Sequence, residues 1–335
     1  MSAPAEPAPA PAPAAVRPPT AELAAAFASI YIIWGSTFLA IHFVVADLPP
    51  FLLASARFTI AGAVLATIAL ARGAARPTRQ NWRAAAIVGI LLFPCGNAIV
   101  FWAETRMPTG MTALLVATEP LWVVLLLWLQ GRARPGPRVL GAILAGFVGL
   151  VVLVGPSAFS GGSTRAVHLV PAIAVVAAAC AWALGSLYAR TAPLSPSPLL
   201  TAGMESFAGG IVTLVIGLAA GEQHGLHLAM ASSASLIAFA YLVVFGSLVG
   251  FTAYSWLLKA AAPARVATYA YVNPVIAVVL GWAILGETIT GRVAIAAAII
   301  IGAVILIIAD QSRPSRAARA KPAEPEANSS QEAEA

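Results

Sequence analysis

Charge is what this sequence of 335 residues has least of: Asp, Glu, Lys and Arg make up 10% of it, against roughly 25% in soluble domains. Polar stretches long enough to fold as an aqueous domain are missing too, and the longest ones are the two tails. The 4 histidines, His42, His168, His224 and His227, show no metal-ligand spacing. The 2 cysteines, Cys95 and Cys180, stand alone inside apolar runs and read as small buried hydrophobes, so neither a zinc site nor a disulfide framework is expected. No Gly-x4-Gly-Lys-Ser/Thr occurs, which excludes ATP hydrolysis through a P-loop. An intramembrane enzyme needs nucleophile, base or metal ligands clustered within apolar segments, and a channel favours rings of like charge or a carbonyl-rich filter. Neither pattern is present, so these readings and a non-transporting scaffold rank behind transport, and no cofactor is expected.

What is abundant is apolar: 60% of the residues, with a mean hydropathy of +0.89. A membrane-spanning helix needs about 20 mostly apolar residues. Ten such spans are predicted, at 23–46, 51–71, 84–103, 110–130, 138–156, 168–189, 198–220, 235–257, 263–284 and 292–309. The expected fold is therefore an all-α polytopic membrane protein. Residues 1–22, rich in Ala and Pro, and 310–335, rich in Ala, Glu and Ser, are expected to be disordered tails.

The net charge of +6 arises from arginines between spans rather than from a surface for nucleic acid. Arg72, Arg76, Arg79, Arg83, Arg132, Arg134, Arg138, Arg190, Lys259 and Arg265 fall in one set of gaps, while the opposite set holds Arg106, Arg165 and Arg292. The tails side with the first set, through Arg17, Arg313, Arg316, Arg319 and Lys321. The positive-inside rule then puts both termini in the cytoplasm of a multi-pass protein, with the bacterial inner membrane as its expected location.

The chain also repeats itself. Glu119-Pro120 recurs as Asn273-Pro274, Gly35-Ser36 as Gly185-Ser186, and Arg138-Val139 as Arg292-Val293. Gly96 and Trp102 are matched by Gly250 and Trp256, and Arg57 by Glu205. Residues 23–156 and 168–309 thus form two units of five spans each. Five is odd, so the second unit enters the membrane upside down. Inverted repeats with interrupted helices at matching positions are how transporters build a substrate site at the bilayer midplane. Helix breaks are expected at both Glu119-Pro120 and Asn273-Pro274.

The succession Trp34-Gly35-Ser36, Arg57-Phe58, Pro108-Thr109-Gly110, Glu119-Pro120, Asn273-Pro274 and Leu285-Gly286-Glu287-Thr288 resembles the EamA family of the drug/metabolite transporter superfamily. Ala103-Glu104 and Ala267-Thr268-Tyr269-Ala270-Tyr271-Val272 look most like its YedA-like exporters. The first copy departs from the pattern: Gln130-Gly131-Arg132-Ala133 stands where the second has Leu-Gly-Glu-Thr. The resemblance implies two EamA repeats and export of small organic metabolites: amino acids, their derivatives or toxic compounds.

Glu119 and Asn273 lead the candidate substrate contacts, because an ionisable group at mid-membrane depth is costly and each adjoins a proline. The alternative role for both is to tie up the backbone groups that the proline frees. Arg57 and Glu205 pair with each other across the pseudo-two-fold, meet substrate charge, or, for Arg57, snorkel to the interface. Trp34, Ser36, Thr37, Trp182 and Ser186 form a matched aromatic and hydroxyl set on spans 1 and 6. Asn97, beside Pro94, and Tyr271 complete the set, whereas Trp102 and Trp256 suit an interfacial belt. Glu119 is the candidate for proton coupling. Small-residue stripes at Gly141, Ala145, Gly146, Gly149, Ala298 and Gly302 serve packing within the chain or a homodimer.

Overall fold

In the computed structural model the described residues are 20–132, 134–154, 163–261, 266 and 268–311, without the side chains of 163–168, 255, 258, 259 and 311. The expected tails lie almost wholly outside them. Ten apolar helical segments follow one another: α1 (Thr20–Asp47), α2 (Pro50–Ala71), α3 (Arg79–Glu104), α4 (Thr109–Leu129) and α5 (Pro137–Val154), then α6 (Ser163–Ala189), α7 (Pro198–Ala219), α8 (Ser233–Ala260), α9 (Tyr269–Leu285) and α10 (Gly291–Gln311). Among the described residues, nine have the length and hydropathy to cross a membrane, and α9 is a shorter apolar helix.

The packing follows the repeat. α1 lies against α8 and α9, and its counterpart α6 lies against α3 and α4. α3 meets α7 as α8 meets α2. Two counterpart pairs pack on each other directly, α2 on α7 and α5 on α10. Small residues make the central pair close: a Cβ on Gly203 would stand 2.6 Å from the Ala66 nitrogen, and one on Gly210 2.7 Å from that of Thr59. Gly146 and Gly149 likewise face Leu121 and Ile300 inside the chain, whereas Gly141 and Gly302 have open space in front of them.

Three expectations need correction. The first concerns the paired breaks. α4 is interrupted at Ala117–Thr118, between the pieces Thr109–Val116 and Glu119–Leu129, but α9 runs through Pro274 without a break. Pro274 is the sixth residue of that helix, so only the carbonyl of Ala270, in the first turn, loses its intrahelical donor. The second concerns the spans predicted at 84–103 and 235–257: α3 and α8 each contain a π-helical stretch, Phe93–Ala98 and Leu242–Val249. Pro94 marks the first of these, while no proline marks the second. The third is Cys95, which is exposed on the outside of the bundle while Phe93, Pro94, Gly96 and Ala98 turn inward.

At the end of the bundle away from the termini, carboxylates tie the turns together. Glu222, on the α7–α8 turn, accepts from the backbone N–H of Leu52 at 2.9 Å and of Phe51 at 3.3 Å, in the first turn of α2. Asp47, at the end of α1, accepts from Ser232 N–H at 3.0 Å and from the Ser235 hydroxyl at 2.5 Å, at the start of α8. Glu287, after α9, accepts from Thr109 N–H at 2.6 Å and Gly110 N–H at 3.0 Å, where α4 begins. Each carboxylate satisfies amide donors that have no partner inside their own helix, where the helix dipole favours negative charge. The glutamate of the Leu-Gly-Glu-Thr segment is thus the N-terminal cap of α4. At the other end, the Asn81 side chain donates to Pro193 O at 2.9 Å, and the Tyr31 and Thr268 hydroxyls are hydrogen-bonded.

Candidate functional site

Between the two halves lies a cavity with about 820 Å³ of empty space, the open solvent at its mouth included. α1 through α4 line it from the first half, and α6, α8 and α9 from the second. Its walls are mainly aromatic and aliphatic, with Arg57, Asn97, Glu119 and Asn273 as convergent polar groups and Thr37 beside them.

The aromatic walls are set by an exchange between halves. Trp34 on α1 is seated against α8: its indole N–H donates to Gly246 O at 3.1 Å, and a Cβ on Gly250 would stand 3.1 Å from its Cδ1. Trp182 on α6 is seated against α3, where a Cβ on Gly96 would stand 3.1 Å from its Cε3. The matched glycines are therefore the floors on which the opposite half lays a tryptophan. Around Trp34 gather Tyr254, Tyr269 and Phe251, with ring centroids at 5.2, 5.3 and 5.9 Å. The Tyr269 hydroxyl faces the Glu119 carboxyl and that of Tyr254.

Arg57 is 4% exposed, so it does not snorkel. Its Nε donates to Ser247 Oγ at 3.0 Å, and its guanidinium lies over Phe58 and Phe101, 5.0 and 5.9 Å from the ring centroids. Among the described residues it forms no ion pair, so of the alternatives offered the Arg57–Glu205 pairing does not occur. Glu205 sits on α7, whose backbone is held closely against α3 at Gly89, and it does not line the cavity. Asn273 is 8% exposed and its Oδ1 has no hydrogen-bond partner. A buried amide oxygen left in this state is a cost that a donor on a ligand removes.

Of the residues named from sequence, Trp34, Thr37, Arg57, Asn97, Glu119, Trp182 and Asn273 surround this one cavity. Ser36, Ser186, Glu205 and Tyr271 are not among its lining residues. The Ser36 hydroxyl is occupied by Ile32 O, Ile33 O and Tyr241. Tyr271 packs with Tyr269 against the core formed by α4, α5 and α10. Sequence reasoning missed Tyr269 and Phe251, which lay within the repeated segments, and Ser247, the partner of Arg57.

The sequence matches the EamA-like transporter family over residues 21–155 and 169–309. The chain belongs to that family, and it is a membrane transporter made of two EamA repeats. It is 34% identical over 280 residues to a protein of Escherichia coli K12 named as the uncharacterized inner membrane transporter YedA, covering 83% of this chain and 88% of that one. A probable terminal-alkyne amino-acid exporter of Streptantibioticus cattleyicolor is 27% identical over 82% of this chain and 89% of its own. The protein PecM of Dickeya dadantii is 28% identical over 87% and 94%. A solved structure with 21% identity matches 88% of this chain and 99% of its own with a TM-score of 0.57, which bears on the fold alone.

Proposed function

We propose that the chain exports a small amphoteric metabolite, one bearing both a carboxylate and an ammonium group, by alternating access around the cavity between the halves. The observation that carries this reading is the charge arrangement of the cavity. Arg57 is a buried cation without a carboxylate partner, and Glu119 is a carboxyl in the same chamber. A substrate carboxylate at Arg57 and an ammonium at Glu119 supply the counter-charges that burial demands. The aromatic walls then hold the apolar part of the molecule. The amino-acid exporter among its relatives supports the same class. Location in a bacterial inner membrane, with both termini in the cytoplasm, is part of this proposal and rests on the arginine distribution and the YedA relative.

The test is uptake and efflux in inside-out vesicles with labelled amino acids, their derivatives, and analogues lacking the carboxylate or the amine. Amphoteric members are expected to be carried and both single-charge analogues to fail. Equal transport of the single-charge analogues defeats the reading. Glu119→Gln keeps the size and removes the titration. With proton coupling at Glu119, it loses accumulation against a gradient while retaining downhill exchange. Retention of both makes Glu119 a residue of the α4 break and refutes coupling there. Asn273→Asp is expected to impair transport more than the same exchange on a lipid-facing position, because it adds a second buried anion to the chamber.

A further inference from the structure

A buried carboxyl stands apart from the cavity, at the end of α3 where the turn into α4 begins. Glu104 is 4% exposed, and neither of its oxygens has a hydrogen-bond partner. Thr109, across the same turn, is fully buried and its hydroxyl is also unpartnered. Its backbone N–H, with that of Gly110, is what holds Glu287.

The two glutamates live under opposite conditions. Glu287 occupies a fitted space: its own N–H donates to Gly281 O at 3.1 Å, and a Cβ on Gly281 or Gly110 would stand 2.5 or 3.3 Å from its Oε2. Both of its oxygens accept from amides at a helix N-terminus, an arrangement made for a carboxylate. Glu104 has no donor, and Glu287 is the charged group that acts on it among the described residues. Among the described residues the surrounding elements bring it no cation, and Arg292, in the first turn of α10, is exposed. Arg106, on the same turn, lies 4.5 Å over the Trp102 ring and donates to Trp102 O and Thr105 Oγ1. Arg57 on α2 is bonded to Ser247, and His42 on α1 packs edge-on to Phe43. α6 carries Arg165 and His168 near this end, with side chains outside the described part. An ionised, unpartnered carboxylate next to a second one is the arrangement that burial penalises most.

We propose that Glu104 is a proton-binding site that controls the clamp between the α3–α4 turn and Glu287. As a carboxylic acid it lies beside the Glu287 carboxylate and the turns stay joined. When its O–H bond breaks and the proton passes to water, two carboxylates share one buried neighbourhood, and the α3–α4 turn parts from the α9–α10 turn. The site is separate from Glu119 and does not depend on which metabolite is carried. It makes the end of the bundle away from the termini a proton-operated gate.

The experiment uses the full chain in lipid nanodiscs, with Cys95→Ala and Cys180→Ala, and spin labels on Thr105→Cys and Thr288→Cys, both exposed positions. Inter-label distances are measured by pulsed electron resonance between about pH 5 and about pH 9, a range that spans shifted carboxyl titrations. The parent is expected to move from a short to a longer separation as pH rises. Glu104→Gln should hold the short separation throughout. A flat titration of the parent overturns the proposal without any variant. So does an unchanged response in Glu104→Gln, which assigns the titration to another group such as His168. Should the Gln variant not fold, Glu104→Leu gives the same reading, since it is neutral and apolar.

Discussion

At the scale of the residue, the cavity depends on small side chains as much as on large ones. Gly96 leaves 3.1 Å between a notional Cβ and the Trp182 ring, so Gly96→Leu drives the ring into the chamber at a strain of about 1–3 kcal/mol. The expected result is a protein that still purifies folded but transports poorly, checked by gel filtration in detergent alongside vesicle efflux. Trp34→Ala and Trp182→Ala should each reduce transport by removing a wall; normal transport by both would assign those rings to packing. The sequence made these positions visible because they recur: a Trp, a Gly and a polar-Pro pair appear in each half. Glu104 could not be singled out in the same way. A glutamate at the end of an apolar run looks like any interfacial residue until the fold closes over it. Ser36 misled for the converse reason. A serine inside a helix has carbonyls three and four residues back within reach, and here Ile32 and Ile33 take its hydroxyl.

At the scale of the element, the helix starts at one end of the bundle are held by carboxylates from distant turns. Gly281→Ala puts a methyl 2.5 Å from Glu287 Oε2 and should unseat it from Thr109 and Gly110. A loss of about 1–2 kcal/mol is expected for a charge-assisted cap, read as a lower melting temperature in detergent. Glu287→Gln should show a similar loss, and Gly291→Ala, which has open space in front of it, should show none. Span positions were legible because apolar length alone sets them, and among the described residues the ends of α1–α10 lie within six residues of the predicted spans. Helix irregularities were legible only where proline announces them. Pro94 lies in the π-helical stretch of α3, whereas Leu242–Val249 carries no such mark, and Pro274 suggested a break that α9 does not make.

At the scale of the whole molecule, orientation is the quantity that a simple measurement decides. A reporter fused after Gln311 is expected to be active only in its cytoplasmic form, and one inserted at Gly225, on the α7–α8 turn, only in its external form. The doubled architecture could be read from sequence because an odd number of spans per unit forces the inversion. How the halves interlock could not, since that depends on which glycine faces which backbone. The consequence reaches beyond transport. α2 lies on α7 and α5 on α10 through glycines, so the halves pack on each other at close range along two helix pairs. The peptide link between α5 and α6 is then expected to be dispensable for assembly. Two separately synthesised fragments, cut in the segment between them, should find each other in the membrane and copurify. What the link guarantees is stoichiometry: every molecule receives one upright and one upside-down copy, however the insertion machinery would have sorted them apart.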